Sequence, residues 1–284
     1  MPMEVAAIER LGPDGPVDLI VEVPHGADAA DYERVRAALR GDLPAELHEF
    51  FFVNTDTGAW DYGRRVAERI GCAAVVIRCR IPRTFIDTNR VEGAEAAGGL
   101  TAAMPPYVRD ERDRALLVDL HRAYHAIVEE ALAALHPRGF ILLPHTYGPR
   151  TLDVPVVDDR IVDNLRAAHA PDRLALAPLR PEIDLITRTD DGTSHAPAAL
   201  VDELAAAYRA DGWQVAENAT YHLHPVTVAL RTALRFPGRV LCLEVRRDKL
   251  VHEWRWNQAS QVEAAAVDRI ARPLSQSIAA WLRA

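Results

Sequence analysis

Val17-Asp18-Leu19-Ile20-Val21-Glu22-Val23-Pro24-His25-Gly26-Ala27-Asp28 is the stretch on which the reading of this chain turns. Residues 17–23 form an apolar, β-branched run bounded by prolines at 16 and 24, the pattern of a buried strand. His25 and Asp28 stand three residues apart just past its end, so both can point at one shared position. Ligands collect at such strand ends in open α/β sheets. A His paired with a nearby carboxylate is a common beginning of a hydrolytic zinc site. Asp28 also suits the N-cap of a helix beginning near Ala29.

Outward from this stretch, strand-like and helix-like patterns alternate. Strands are expected at residues 49–54, 73–79, 140–143, 183–188, 213–217 and 240–245. Helical spacing covers 29–39, 60–70, 109–135, 196–210 and 225–234, and a closing helix over 259–282 is expected to break near Pro273. Residues 93–106, rich in Ala and Gly, read as a loop or lid, and 171–181 as an irregular excursion. No linker or internal repeat interrupts the pattern. The expectation is one α/β domain over residues 1–284, with a mixed, mainly parallel sheet and helices on both faces.

Composition narrows the function. A net charge of −8 argues against a general nucleic-acid binder. No apolar run approaches the ~18 residues of a membrane span, and no secretory signal is evident at the N-terminus. The three cysteines lack the spacing of a thiolate zinc site and read as buried thiols, which suits a cytoplasmic protein.

The polar residues with chemical potential gather after the expected strands. Arg83, Asp87, Asn89 and Arg90 follow the strand at 73–79, and His145 follows the strand at 140–143. Glu244 lies inside Leu243-Glu244-Val245, where a carboxylate either faces solvent or is held inside for a purpose. Metal-assisted amide hydrolysis needs about three protein ligands, a proton-transferring carboxylate and a cationic fork for an anionic substrate. The inventory supplies each type. Taken singly, each residue also has a structural reading as a cap, a turn or an ion pair.

The order of these pieces resembles the N-formylglutamate amidohydrolase family, which is related in fold to the zinc carboxypeptidases and aspartoacylases. The resemblance runs from about Leu19 to Leu250. It rests on Pro24-His25-Gly26, on Asn54-Thr55-Asp56-Thr57-Gly58, and on Tyr124-His125. It rests further on Leu143-Pro144-His145-Thr146, on Glu244, and above all on Arg83-Thr84-Phe85-Ile86-Asp87-Thr88-Asn89-Arg90. The resemblance implies His25, Asp28 and His145 as zinc ligands and Glu244 as the general base. It implies Asn89 and Arg90 as the clamp for a substrate carboxylate, and Arg83 as the group binding the carbonyl oxygen or a second carboxylate. Tyr221, near His222 and His224, is a further candidate substrate contact. Two His and a carboxylate also suit iron, cobalt or manganese.

The chain departs from the family pattern where Leu143-Pro144 stands in place of the Asp expected before the second His, where Thr146 replaces Ser, and where Ala27 replaces a glycine. The lost Asp removes a partner of the kind that tunes metal affinity. The expected partner is a small molecule carrying a carboxylate. The main expectation is a zinc-dependent amidohydrolase acting on a small N-acyl amino acid. A carboxypeptidase-like metallopeptidase and a catalytically silent anion-binding protein are the alternatives.

Overall fold

The computed structural model describes residues 3–154 and 156–284. In chain order its elements are β1 (Ala6–Leu11), β2 (Val17–Val23), α1 (Ala29–Ala38), α2 (Leu47–Asn54), α3 (Ala59–Ile70), β3 (Ala74–Cys79), α4 (Glu111–Ala133) and β4 (Leu135–Tyr147). There follow α5 (Ile161–Ala168), α6 (Pro171–Leu176), β5 (Ile183–Ile186), α7 (Ala198–Ala210), β6 (Val215–Glu217), α8 (Val228–Arg235), β7 (Val240–Arg246) and α9 (Ala264–Arg283).

The seven strands form one sheet in the order β1-β3-β2-β4-β7-β5-β6. Of its six neighbouring pairs, only β1–β3 and β5–β7 are antiparallel, so the sheet is mixed and mainly parallel, as its sequence implies. The central strands β2, β4 and β7 are buried on both faces, which is why they read as continuous apolar runs rather than as alternations. One core cluster packs residues of α1, α2, α4, α5 and α8 on the face bearing Ile20, Ile141 and Cys242. The other packs α3, α7 and α9 on the face bearing Val21, Leu142 and Leu243.

The topology fixes where a site can form. From β2 the chain crosses to β3 on one side; from β3 it returns past β2 to β4 on the other. The carboxyl ends of β2 and β4 therefore flank a switch point, the crevice where open α/β sheets bind ligands. His25 follows the end of β2, and His145 is the third residue from the carboxyl end of β4.

Several local expectations are corrected. Residues 49–54 belong to helix α2, not to a strand. A short apolar run looks alike in both states; here Phe51 turns inward to pack 5.0 Å from the ring of Tyr32. The edge strand β1 and the helices α5 and α6 carry too weak a pattern to be read in advance. β4 is longer than the expected 140–143. Helix α9 runs unbroken past the buried Pro273. Among the described residues, no helix is long and apolar enough to cross a membrane.

Helix α3 presses directly on the sheet through Gly63. A Cβ there would lie 2.9 Å from Val21 Cγ1 and 3.0 Å from Pro144 Cγ. The Gly63→Val substitution should therefore lower stability by about 1–3 kcal/mol through overpacking. Denaturant unfolding of the two proteins checks this, and an unchanged midpoint would show that the contact is not tight.

Candidate metal centre and substrate cavity

Four loops meet at the carboxyl ends of β2, β3, β4 and β7, and main-chain hydrogen bonds stitch them together. The Asp56 amide donates to the His25 carbonyl at 3.0 Å, and Thr55 Oγ1 donates to the Ala27 carbonyl at 2.7 Å. Thr88 Oγ1 donates to the Pro24 carbonyl at 2.8 Å, bringing the loop after β3 against the loop after β2. Tyr62 Oη on α3 donates to the His145 carbonyl at 3.0 Å. Gly58, at φ +87°, makes the left-handed turn between Asp56 and α3, a conformation that glycine adopts without strain.

Three buried side chains converge within this frame. His145 Nδ1 lies 2.9 Å from Asp56 Oδ2, and His25 Nδ1 lies 3.3 Å from the same oxygen. The potential ligand atoms of His25, Asp56 and His145 all lie within 4.8 Å of one another. Asp87 accepts a 2.7 Å hydrogen bond at Oδ1 from His25 Nε2. Burial opposes ionisation of Asp87, but Arg83, Arg90 and His25 outweigh it and hold the carboxyl well below its usual range. An ionised Asp87 can only accept, so Nε2 carries the His25 proton. The 3.3 Å between His25 Nδ1 and Asp56 Oδ2 must then be bridged by a second proton on the imidazole or by a metal cation between them. A carboxylate orienting the far nitrogen of a ligating imidazole is the usual support of such a site. Two imidazole nitrogens and a carboxylate oxygen fit zinc and its neighbours in the first transition row.

Asp28, expected as the third ligand, stands elsewhere. It caps α1, accepting from the Asp31 amide at 2.9 Å, and pairs with Arg78 at 2.9 Å. Its side chain is 51% exposed, against 3% for Asp56. The helix-cap alternative describes Asp28, and Asp56 takes its place beside the two histidines. The sequence signal for Asp56 is the polar segment Asn54-Thr55-Asp56-Thr57-Gly58 between an aromatic run and a helix. Burial raises the Asp56 carboxyl, but His25 and His145 lower it further and keep it ionised. Arg247, unforeseen in the sequence, braces the other oxygen of Asp56 at 3.3 Å and donates to the Thr146 carbonyl at 2.8 Å. A second His and acid group, Glu46, His48 and Glu49, begins α2; there Glu46 and His48 are exposed, and Arg166 already engages both oxygens of Glu49.

Glu244 pairs in register with His145 across β4 and β7. Its Oε2 is buried without a hydrogen-bond partner among the described residues. Burial, reinforced by Asp56, pushes its carboxyl up to about 7, against the pull of His145, Arg180 and Arg247. Glu244, Arg83, Asn89, Arg90 and Tyr221 all line one cavity of about 1010 Å³ with the two histidines and Asp56. Arg83 pairs with Asp87 at 2.9 Å. Arg90 is buried, lies 3.6 Å from Asp87, and donates through Nε to the Thr101 carbonyl at 2.9 Å. Asn89 accepts from the Ala229 amide at 3.2 Å, leaving its Nδ2 without a protein partner among the described residues. Tyr221 Oη accepts from Arg180 at 3.4 Å. The segment 93–106, expected as a loop or lid, lines the same cavity.

The model of the N-formylglutamate amidohydrolase family matches residues 17–251. The chain belongs to this family. Membership in the N-formylglutamate amidohydrolase family supports an enzyme that hydrolyses amides. The fold is shared with the N-formylglutamate amidohydrolase of Ralstonia eutropha JMP134, at 19% identity and a TM-score of 0.63, over 97% of this chain and 98% of that one. It is shared too with a gene product of Agrobacterium tumefaciens, at 17% identity and a TM-score of 0.59, over 99% of this chain and 94% of that one. A search of curated proteins finds no significant match.

Two imidazoles on α4 lie behind the loop that carries Arg90. His121 Nε2 lies 3.0 Å from the Arg90 carbonyl, and the His125 ring packs against the His121 ring at a tilt, 4.4 Å between centroids. Burial, with His121 beside it, pushes His125 down to about 4. The unfolded chain takes up this proton near pH 6.5, whereas the folded chain does so only near 4. Stability from this group is therefore complete above pH 6.5 and is lost as pH falls toward 4, by roughly 3 kcal/mol in all. His125→Gln should flatten the acid side of the stability profile by about that amount in denaturant titrations. An unaltered slope would contradict the assignment.

Proposed function

We propose that this protein is a zinc-dependent amidohydrolase that cleaves a small N-acyl amino acid. The observation carrying this reading is the meeting of His25 Nδ1, His145 Nδ1 and Asp56 Oδ2 beside Glu244, whose Oε2 has no hydrogen-bond partner among the described residues. His25, Asp56 and His145 would hold the metal, which when bound polarises the amide carbonyl and acidifies water.

The chain's own residues account for the remaining tasks. Glu244 takes the proton of the attacking water at Oε2 and passes it to the departing nitrogen, which leaves as a neutral amine. Arg83 faces the cavity as a donor for the carbonyl oxygen, where negative charge grows during attack. Asn89 and Arg90 hold the substrate carboxylate, which fixes the scissile bond over the site. Asp87 serves both ends of the site: it orients His25 and sets the positions of Arg83 and Arg90. Arg180 makes no ion pair among the described residues, so the cavity keeps positive charge that favours an anionic substrate.

Glu244→Gln is expected to lower kcat by ~10²–10⁴-fold while product binding persists. Steady-state assays with N-formyl-glutamate and related amides, paired with calorimetry of product binding, test this. Full activity in the variant, or activity that survives removal of all metal, would overturn the mechanism.

Asp56→Ala should abolish stoichiometric zinc binding. Asp28→Ala should retain zinc and lose only about 1 kcal/mol of stability through its cap. Elemental analysis of the two purified variants separates the assignments, and the reverse pattern would restore Asp28 as the ligand.

A further inference from the structure

The cavity is far larger than a formyl group requires, and its two parts differ in chemistry. Around His25 and His145 the wall is polar and cationic, with Arg83, Arg90 and Arg180. The rest of the wall bounds a chamber that is mainly apolar; Arg150, His169 and His222 also line it, and Arg150 is held by the Ala177 carbonyl. Phe50 and Val53 of α2 form part of the chamber wall, joined by Val154 and Val157 from the segment after β4, Leu165 of α5 and Leu174 of α6. Val53, Val154, Val157 and Leu174 are only partly buried, so their side chains keep surface facing the chamber. Val156, at its rim, is 53% exposed. Arg166, the arginine carried by α5, is committed to Glu49 and does not line the cavity.

We propose that the acyl half of the substrate is an apolar chain or ring of several carbons, seated in this chamber. The inference rests on the amidohydrolase reading above and adds its substrate class. The carboxylate clamp and the chamber are built from different elements. Asn89 is tied to the start of α8 and Arg90 to the segment 93–106. The chamber is walled by α2, α5, α6 and the segment after β4. One cavity joins both, so one molecule can place a carboxylate at the clamp and an apolar group in the chamber. The amino-acid half carries the carboxylate, which leaves the chamber to the acyl half. A formyl group has a single carbon and would leave the chamber walls in water.

The test is a series of N-acyl-glutamates carrying formyl, acetyl, butanoyl, hexanoyl and octanoyl groups, assayed with the zinc-loaded protein. Each added methylene is expected to raise kcat/KM about fourfold until the chamber is filled, the equivalent of ~0.8 kcal/mol per buried methylene. Calorimetric titration with octanoate and with acetate gives a readout independent of turnover, and octanoate should bind at least tenfold more tightly. Val157→Glu, and the milder rim substitution Val156→Glu, should flatten both trends. Hydrolysis that is fastest with formyl, or a flat series, would overturn this inference and leave amide hydrolysis standing. No hydrolysis of any member, with octanoate binding that the Glu substitutions abolish, would support the chamber and reject the amidohydrolase reading. Equal binding of octanoate and acetate would reject the chamber.

Discussion

One carboxylate oxygen, Asp56 Oδ2, is the point around which the site is organised. It is shared by His25 from the end of β2 and His145 from the end of β4. The other oxygen of Asp56 is braced by Arg247, just past β7. A carboxylate this deeply buried is costly unless every lone pair is answered. Here two imidazoles and a guanidinium answer it, and each reaches in from a different strand end. Loss of any one would leave the buried charge less well compensated, so the interaction ties the loops to one another.

The sheet makes this meeting possible. β2, β4 and β7 are parallel neighbours, so their carboxyl ends open on one side of the molecule. Crossovers in opposite directions from the middle of the sheet leave a crevice at that side, and the helices on the two faces hold it rigid. Asp87 extends the network to the loop after β3. By accepting from His25 and pairing with Arg83 and Arg90, it couples the geometry of the candidate metal centre to that of the proposed substrate clamp. The imidazoles of His121 and His125 on α4 back this clamp from the core side.

The parts of this arrangement legible in the sequence are those written in continuous local pattern. The apolar run at 17–23 is long enough and bounded sharply enough to identify β2, and His25 at its end follows. His145, Glu244 and the 83–90 segment are legible for the same reason, each flanking a strand. Asp56 is a different case. Its position depends on α2, whose Phe50-Phe51-Phe52-Val53 run is equally compatible with a strand, and on packing against residues about 30 positions away. Asp28 is near His25 in sequence but lies at the first turn of α1, where capping and Arg78 claim it. Proximity along the chain is a poor guide when a helix begins between two residues. Likewise α5 and α6 arise within a stretch rich in Pro, Arg and Asp; α5 packs on α2, and Arg150 after β4 donates to the Ala177 carbonyl at the end of α6, contacts that no local periodicity announces.

In the proposed enzyme His25, Asp56 and His145 hold a single metal ion. Anomalous diffraction at the zinc edge from crystals of the zinc-loaded protein tests it most directly. One peak is expected, within bonding distance of His25 Nδ1, His145 Nδ1 and an Asp56 oxygen. A peak at Asp28 or at the exposed Glu46–His48 group instead, with none between the two histidines, would contradict it.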